Sequence, residues 1–169
     1  MAGAVDVPSF GVKFLGDEAG FRRSVVTPVL VWEAPPETPE EPLLFSTRAG
    51  QKSKRPRRGA PMFFFVQKSV KNAFADEVTL GRTANNDISV EDNSVSRFHA
   101  YFAPAKKGAA WSLVDAKSTA GTFLGGKQLE PRTPMPISSG VRLRVGDVEL
   151  QFLEPDGFWQ YLQRLIRAK

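Results

Sequence analysis

The chain has 169 residues, of which 41% are apolar and 24% are charged, as in an ordinary soluble globular protein. Because it contains no cysteine, a disulfide framework, a cysteine-ligated zinc site and a thiol nucleophile are all excluded. The net charge of +5 favours an acidic partner, either a phosphorylated peptide or a nucleic acid. There is no apolar run as long as a membrane span and no secretory signal at the start, so we expect a cytoplasmic protein without membrane association.

Residues 1–60 differ in composition from the rest and are predicted to form a partly disordered N-terminal leader. Val29–Trp32 could form a strand in it, but the sequence does not identify its packing partner. Residues 33–42 combine prolines with acidic residues, which predicts an extended or disordered linker because prolines lack an N–H donor and the acids repel one another. A basic run, Lys52–Arg58, follows. Acidic and basic blocks lie close together, so the leader could fold loosely on itself.

Residues 61–155 carry short strand signals separated by turns. The expected strands are 62–66, 77–80, 87–90, 98–103, 110–114, 122–124, 127–129, 141–145 and 148–152. Many short strands with closely spaced turns are typical of an all-β fold, here an antiparallel β-sandwich. A C-terminal amphipathic helix is predicted within residues 156–169, where Phe158, Leu162, Leu165 and Ile166 share one face.

Three short polar segments stand at the ends of predicted strands. They are Gly81-Arg82, Ser96-Arg97-Phe98-His99 and Ser118-Thr119-Ala120-Gly121-Thr122. Each presents an arginine or short hydroxyl side chains on a loop that strands support. An arginine fork beside serine and threonine hydroxyls suits a phosphate group, which accepts several hydrogen bonds and carries nearly two negative charges.

The order of these segments resembles the forkhead-associated (FHA) domain over roughly residues 62–153. That family shows Gly-Arg after its second strand, Ser-x-x-His at the start of the fourth and Ser-x-Asn-Gly-Thr after the sixth. Asn86-Asp87-Ile88 after the Gly-Arg pair adds to the likeness. One position departs from the pattern, because Ala120 stands where the family usually has an asparagine that bonds the main chain of the ligand. The resemblance implies a sandwich that binds phosphothreonine peptides through its loops.

The same resemblance implies a role for individual residues. Four of them are expected to bind the phosphopeptide: Arg82, Ser96, Arg97 and Thr119. Arg82 would anchor the phosphate, Ser96 would donate its hydroxyl, and Thr119 would contribute its hydroxyl or its backbone N–H. Arg97 either adds a second positive charge or points into solvent. Four more residues are expected to brace the loops: Gly81, His99, Gly121 and Thr122.

The only histidine, His99, invites a catalytic interpretation, but no cysteine or second histidine exists to complete a triad or a metal set. The alternation along residues 97–102 predicts a half-buried strand with His99 on the same face as Arg97 and Tyr101. In the resembling family this histidine braces the binding loops without touching the ligand. Since no nucleophile and base can be paired, we expect no enzyme activity, no cofactor and no metal ion.

Two other motifs are set aside. Residues 121–127 have the spacing of a nucleotide phosphate loop, but Gln128 replaces the hydroxyl that would hold magnesium and no helix is predicted to follow. Glu91-Asp92-Asn93 is acidic but lacks the spaced ligands and the glycine of a calcium loop.

The leading hypothesis is a phosphothreonine-peptide-binding signalling module that acts downstream of a serine/threonine kinase and has no catalytic activity. A second is an interaction domain that does not depend on phosphate, motivated by Ala120. A third is nucleic-acid binding through Lys52–Arg58, a run that could also be a nuclear address but has no interleaved aromatic residues for base stacking. The expected partner is a phosphothreonine-containing protein or the chain's own leader phosphorylated at Thr38, since some bacterial members of the resembling family carry such a threonine.

Overall fold

The computed structural model describes residues 4–35, 59–104 and 110–167 of the chain. The first of its two sheets has seven strands, in the order Val5–Asp6 (β1), Met62–Phe65 (β3), Val29–Trp32 (β2), Val148–Leu153 (β12), Arg142–Val145 (β11), Thr122–Leu124 (β8) and Lys127–Gln128 (β9). The second has five, in the order Met135–Pro136 (β10), Ser112–Asp115 (β7), Ala100–Ala103 (β6), Val78–Gly81 (β4) and Ile88–Ser89 (β5). The helices are Val7–Lys13 (α1), Glu18–Ser24 (α2) and Pro155–Arg167 (α3).

The two sheets pack face to face, which confirms the predicted all-β sandwich with a C-terminal helix. All strand pairs are antiparallel except the parallel pair β4–β5. The core between the sheets takes alternate residues from their inner faces, such as Leu30 and Phe152 from the first sheet and Leu80 and Phe102 from the second. The period of two along each strand is what sends these side chains to one face.

A second apolar layer lies on the other side of the seven-stranded sheet. Val29, Val31 and Phe63 point away from the sandwich core and pack against the helices. The Phe63 ring lies 4.8 Å from that of Phe158 on α3, centroid to centroid. Strands β2 and β3 are therefore buried on both faces, which explains why their sequences are continuous apolar runs rather than alternating ones.

The structure corrects the predicted leader, because much of residues 1–60 belongs to the sandwich. Strand β2 lies inside the seven-stranded sheet, paired with β12 on one side and β3 on the other. The N-cap residues of α1 and α2 are Asp6 and Asp17. Their carboxylates accept hydrogen bonds from the N–H groups of Ser9 and Gly20 at 2.7 and 2.8 Å. With seven residues each, these helices are too short to be stable alone, and their packing on the sheet supports them.

The two residues that flank segment 36–58, between β2 and β3, lie next to each other. The N–H of Gly59 donates to the carbonyl of Pro35 at 2.9 Å, so the two ends of segment 36–58 are adjacent. Thr38, the basic run Lys52–Arg58 and most of the predicted linker 33–42 fall in this segment and lie outside the described residues. Thr38 therefore belongs to a connection between neighbouring strands, and not to a free N-terminal extension.

Candidate functional site

Three loops meet at one end of the sandwich and line an open cavity of about 990 Å³. The loop after β4 contributes Arg82, the loop before β6 contributes Ser96 and Arg97, and the loop between β7 and β8 contributes Thr119. The four residues expected to bind phosphate thus line the same cavity. Asn93, Phe98, Lys117 and Ala120 also line it.

Gly81 holds the first two loops together by a close backbone approach. A β-carbon at this position would lie 2.2 Å from the carbonyl oxygen of Arg97, a separation that no side chain tolerates. The N–H of Arg82 donates to the carbonyl of Ser96 at 2.9 Å. Only glycine lets the end of β4 come this near to the second loop. This close approach fixes the backbone position from which the Arg82 side chain extends.

The second and third loops are joined through Ser96. The backbone N–H of Thr119 donates to the Ser96 hydroxyl oxygen at 3.0 Å. That bond uses the Thr119 N–H, so the group of Thr119 left for a ligand is its exposed hydroxyl. The Ser96 hydroxyl accepts from Thr119 and keeps its own hydrogen for donation into the cavity.

The buried side chain of His99 also links the second and third loops. Its Nδ1 accepts a hydrogen bond from the N–H of Ser96 at 3.0 Å, and its Nε2 lies 3.1 Å from the carbonyl oxygen of Gly121. Because a carbonyl can only accept, Nε2 must carry the hydrogen and the ring is neutral. Burial lowers the pKa of His99 below its ordinary value of 6.5, which favours that neutral form. His99 lies behind the cavity and is not among the residues that line it.

The predicted alternation is wrong at the start of β6. His99 is fully buried, whereas Phe98 is 37% exposed, the reverse of the expected pattern. The strand begins only at Ala100, and from there Ala100 and Phe102 face the core as expected. The two hydrogen bonds of the His99 ring, rather than strand periodicity, place it inside.

Asp115, which the sequence analysis did not identify, shapes the third loop. Its buried carboxylate accepts hydrogen bonds from the hydroxyls of Ser118 and Thr122, both at 2.6 Å, and from the N–H of Ser118 at 3.1 Å. Gly121 follows with φ = 82°, a conformation that glycine takes without steric cost. An aspartate three residues before a serine is a turn signal that could have revealed this residue.

Asn86 and Asp87 follow each other in the β4–β5 connection and hold different parts of the structure, Asn86 the second loop and Asp87 strand β4 with residues 68 and 69. The Asn86 amide donates to the carbonyl of Arg97 at 2.7 Å, which fixes the backbone of that residue. The Asp87 carboxylate is buried and accepts from Ser69, Thr79 and Lys68. These donors hold the pKa of Asp87 well below its ordinary range although burial opposes ionisation.

The cavity is positively charged. Arg82, Arg97 and Lys117 line it, and none of the described residues places a carboxylate there. Among the described residues none of these three cations forms an ion pair. Arg82 makes one long hydrogen bond, from its guanidinium to the amide oxygen of Asn93 at 3.3 Å. The site is therefore built to attract an anion.

Other kinds of site find no support in the described part of the chain. Residues 4–35, 59–104 and 110–167 contain no cluster of side chains suited to a metal ion. Within the same ranges no helix has the length and apolar character needed to cross a membrane. The run 121–127 forms the end of one strand and the turn into the next, with β9 and not a helix after it.

A family comparison matches this region. Residues 78–146 fit the model of the FHA domain, a range that holds all three loops of the cavity. The chain therefore contains an FHA domain, as its motifs suggested. The FHA domain is a phosphothreonine-peptide-binding interaction module.

Two curated proteins are similar to the same part of the chain. The oxoglutarate dehydrogenase inhibitor of Corynebacterium diphtheriae is 36% identical over 76 residues, which cover 45% of this chain and 50% of that protein. The protein of the same name from Corynebacterium jeikeium is 34% identical over 73 residues, covering 43% of this chain and 47% of the relative. The chain thus spans about half the length of the curated relatives it matches.

Solved FHA structures align with the chain at low identity. The FHA domain of CT664 from Chlamydia trachomatis is 16% identical with a TM-score of 0.48, covering 76% of this chain and 98% of that one. The N-terminal FHA domain of Saccharomyces cerevisiae Rad53, solved with a phosphothreonine peptide, is 23% identical with a TM-score of 0.46, covering 59% and 89%.

Proposed function

We propose that the chain binds phosphothreonine peptides and has no catalytic activity. The observation that carries this proposal is the convergence of Arg82, Ser96, Arg97 and Thr119 on one cationic cavity, to which the described part of the chain contributes no carboxylate. A phosphate needs several donors and positive charge, and this cavity offers both. The site serves in signalling, with a serine/threonine kinase producing the ligand in the cytoplasm, where ATP is available.

The donors are fixed before the ligand arrives. The Ser96 oxygen is held by the N–H of Thr119, and because it accepts in that bond, its hydroxyl hydrogen remains for a ligand in the cavity. The guanidinium of Arg82 has one contact to Asn93 and keeps its other N–H groups for a phosphate. The Arg97 backbone is held by Asn86, which leaves only its side chain to be ordered on binding. Pre-organisation of this kind lowers the entropic cost of binding.

A second candidate is binding that does not require phosphate. Ala120 lines the cavity without an amide for the ligand main chain, and Phe98 adds exposed apolar surface beside it. The two curated relatives are named inhibitors of oxoglutarate dehydrogenase, which would fit direct binding to a metabolic enzyme. Tight binding to an unphosphorylated protein that survives Arg82→Ala would favour this candidate over the first.

The connection 36–58 can also supply a ligand from the chain itself. Strand β2 runs antiparallel to β12, and residues Glu33 and Ala34 share a cavity with Asp147. The N–H of Asp147 donates to the Ser94 hydroxyl at 2.8 Å, and Ser94 lines the phosphate cavity. Pro35 and Gly59, which flank segment 36–58, thus lie on the side of the sandwich that carries the binding loops. Thr38 is the third residue after Pro35. An extended chain of that length spans about 10 Å, so Thr38 is joined to Pro35 by a short connection.

The proposal is tested by calorimetry with two peptides of one sequence, phosphorylated and unphosphorylated on a central threonine. Two charge-assisted hydrogen bonds contribute at least about 3 kcal/mol, so the phosphorylated peptide should bind about a hundredfold more tightly or better. Equal affinities would contradict the proposal.

A protein phosphorylated at Thr38 should bind the added peptide more weakly at any protein concentration if Thr38 occupies the site. Unchanged affinity would show that Thr38 is not a ligand.

A further inference from the structure

Lys117 stands at the edge of the cavity in a strained backbone conformation. It lies in the loop between β7 and β8, its side chain is exposed, and it lines the same cavity as Arg82. Its φ is 61°, in the left-handed region. Of the described residues other than glycine, only Lys117 and Arg132 have a positive φ.

The conformation follows from the hydrogen bonds on either side. The N–H of Ala116 donates to the carbonyl of His99 at 2.9 Å, and Asp115 accepts from both the N–H and the hydroxyl of Ser118. The backbone must change direction between the fixed residues Ala116 and Ser118, and Lys117 makes this turn by adopting the left-handed conformation. Glycine or asparagine takes such a conformation more readily than lysine does. Strain of this kind is found where a side chain serves a ligand.

The charges of the cavity exceed what one phosphate requires. Three cations line it, namely Arg82, Arg97 and Lys117. A phosphothreonine carries at most two negative charges near neutral pH. Within residues 4–35, 59–104 and 110–167, no carboxylate lines the cavity to balance the third cation. A ligand with one negative charge in addition to the two of the phosphothreonine would balance all three cations.

We propose that Lys117 selects phosphothreonine peptides that carry a second anionic group beside the phosphothreonine. That group is either an aspartate or glutamate side chain or a second phosphate, since both offer oxygen acceptors to an ammonium group. The inference rests on the proposed function, because Lys117 acts on the same peptide that Arg82 holds. Lys117 is a specificity-determining residue, and Arg82 remains the anchor.

The test uses a neutral host peptide with a central phosphothreonine. One glutamate is placed in turn at each flanking position, and affinities are measured at low salt. At one or more positions glutamate should raise the affinity by up to about fivefold, the upper end of the range for an exposed ion pair. Phosphoserine at the best position should raise it further, and an advantage confined to phosphoserine would identify a second phosphate as the natural group.

Variants of Lys117 then assign the gain to its charge. Lys117→Gln should abolish the advantage of the acidic peptide over the neutral host, measured as the ratio of the two affinities in the same variant, while Lys117→Arg should keep that ratio. Lys117→Gly should remove the advantage without lowering the denaturation midpoint, because glycine relieves the positive φ. Lys127→Gln, in strand β9 away from the cavity, is the matched control and should change nothing.

The outcomes separate this inference from the proposed function. If the neutral phosphopeptide binds but no acidic position improves it, or if Lys117→Gln keeps the advantage, Lys117 does not select the ligand and the phosphate site still stands. If no phosphothreonine peptide binds at all, both proposals are wrong.

Discussion

Arg82 is the residue on which phosphate binding should depend most. Its position is set by Gly81, and its guanidinium makes only one long contact within the cavity. We expect Arg82→Ala to weaken phosphopeptide binding at least about thirtyfold, since losing about 2 kcal/mol of charge-assisted hydrogen bonding has that effect. Calorimetry measures it. Arg164→Ala, which removes an exposed arginine from α3, is the control, and equal losses in the two variants would remove Arg82 from the site.

Ala120 offers a substitution that should improve the site. It lines the cavity beside Thr119 and has no polar side-chain atom. Ala120→Asn introduces an amide that can bond the ligand main chain, for a gain of about 1 kcal/mol or about fivefold in affinity. The same phosphopeptide is titrated into both proteins. A variant that binds no better would mean that the peptide takes another path across the loops.

His99 should make the stability of the fold depend on pH in a defined window. Its pKa is lowered by burial in the folded protein, so below the ordinary value of 6.5 the unfolded chain binds a proton that the folded chain does not. The free energy of unfolding should therefore be highest above about pH 6.5 and decline as the pH falls below it. Asp87 should add its own loss only near and below its ordinary pKa of 3.8, because its folded pKa is lower still.

Urea unfolding of the wild type and of His99→Gln, measured at several pH values between about 5 and 7.5, isolates this contribution. Glutamine can accept from Ser96 and donate to Gly121 but does not titrate, so its stability should vary less with pH in this range. Identical slopes in the two proteins would show that His99 is not the titrating group.

At the residue scale the sequence predicted the four candidate phosphate ligands but not the residues that hold them. Arg82 and Ser96 belong to short motifs that can be read directly. A turn signal marks Asp115, but nothing in the sequence marks Lys117, because its conformation depends on the hydrogen bonds that Ala116 and Ser118 make on either side of it. The burial of His99 was missed because two side-chain hydrogen bonds override the alternation of a strand that had not yet begun.

At the scale of elements, strand β2 decides where the folded unit begins. Its residues Val29, Leu30 and Val31 are fully buried between β3 and β12. The sequence predicted the strand but not its place, because pairing between distant segments leaves no mark in local periodicity. The two-residue strand β10 was missed for a similar reason, since its pairing with β7 is long-range.

A chain that starts at residue 61 should therefore fail to fold. Each of the three buried residues of β2 contributes about 1.5–3 kcal/mol, and their sum approaches the whole stability of a typical domain. The matched control deletes only residues 36–58 and joins Pro35 to Gly59 through a short glycine linker, which their hydrogen bond shows to be a small gap. Nuclear magnetic resonance (NMR) spectra should be collapsed for the first protein and dispersed for the second. A dispersed spectrum for both would restore the boundary at residue 61.

At the scale of the molecule, the helices and the two sheets form three layers, and the loops that line the cavity lie at one end of them. The helices cover the outer face of the seven-stranded sheet, and the two sheets cover each other. The three loops at this end are joined by hydrogen bonds from Arg82 to Ser96, from Thr119 to Ser96 and from His99 to Gly121, so they present their donors as one rigid surface. Function can therefore change through single loop residues such as Ala120 without a change in the core.

The most direct test of the account is a titration of the labelled protein with a phosphothreonine peptide, followed by the backbone amide signals in two-dimensional NMR. We predict that the signals of Arg82, Ser96 and Thr119 shift most and that those of α1, α2 and α3 stay in place. The unphosphorylated peptide at the same concentration should leave all of them unmoved. Shifts centred on the helices or on residues 52–58, or equal shifts with both peptides, would contradict a phosphate site at these loops.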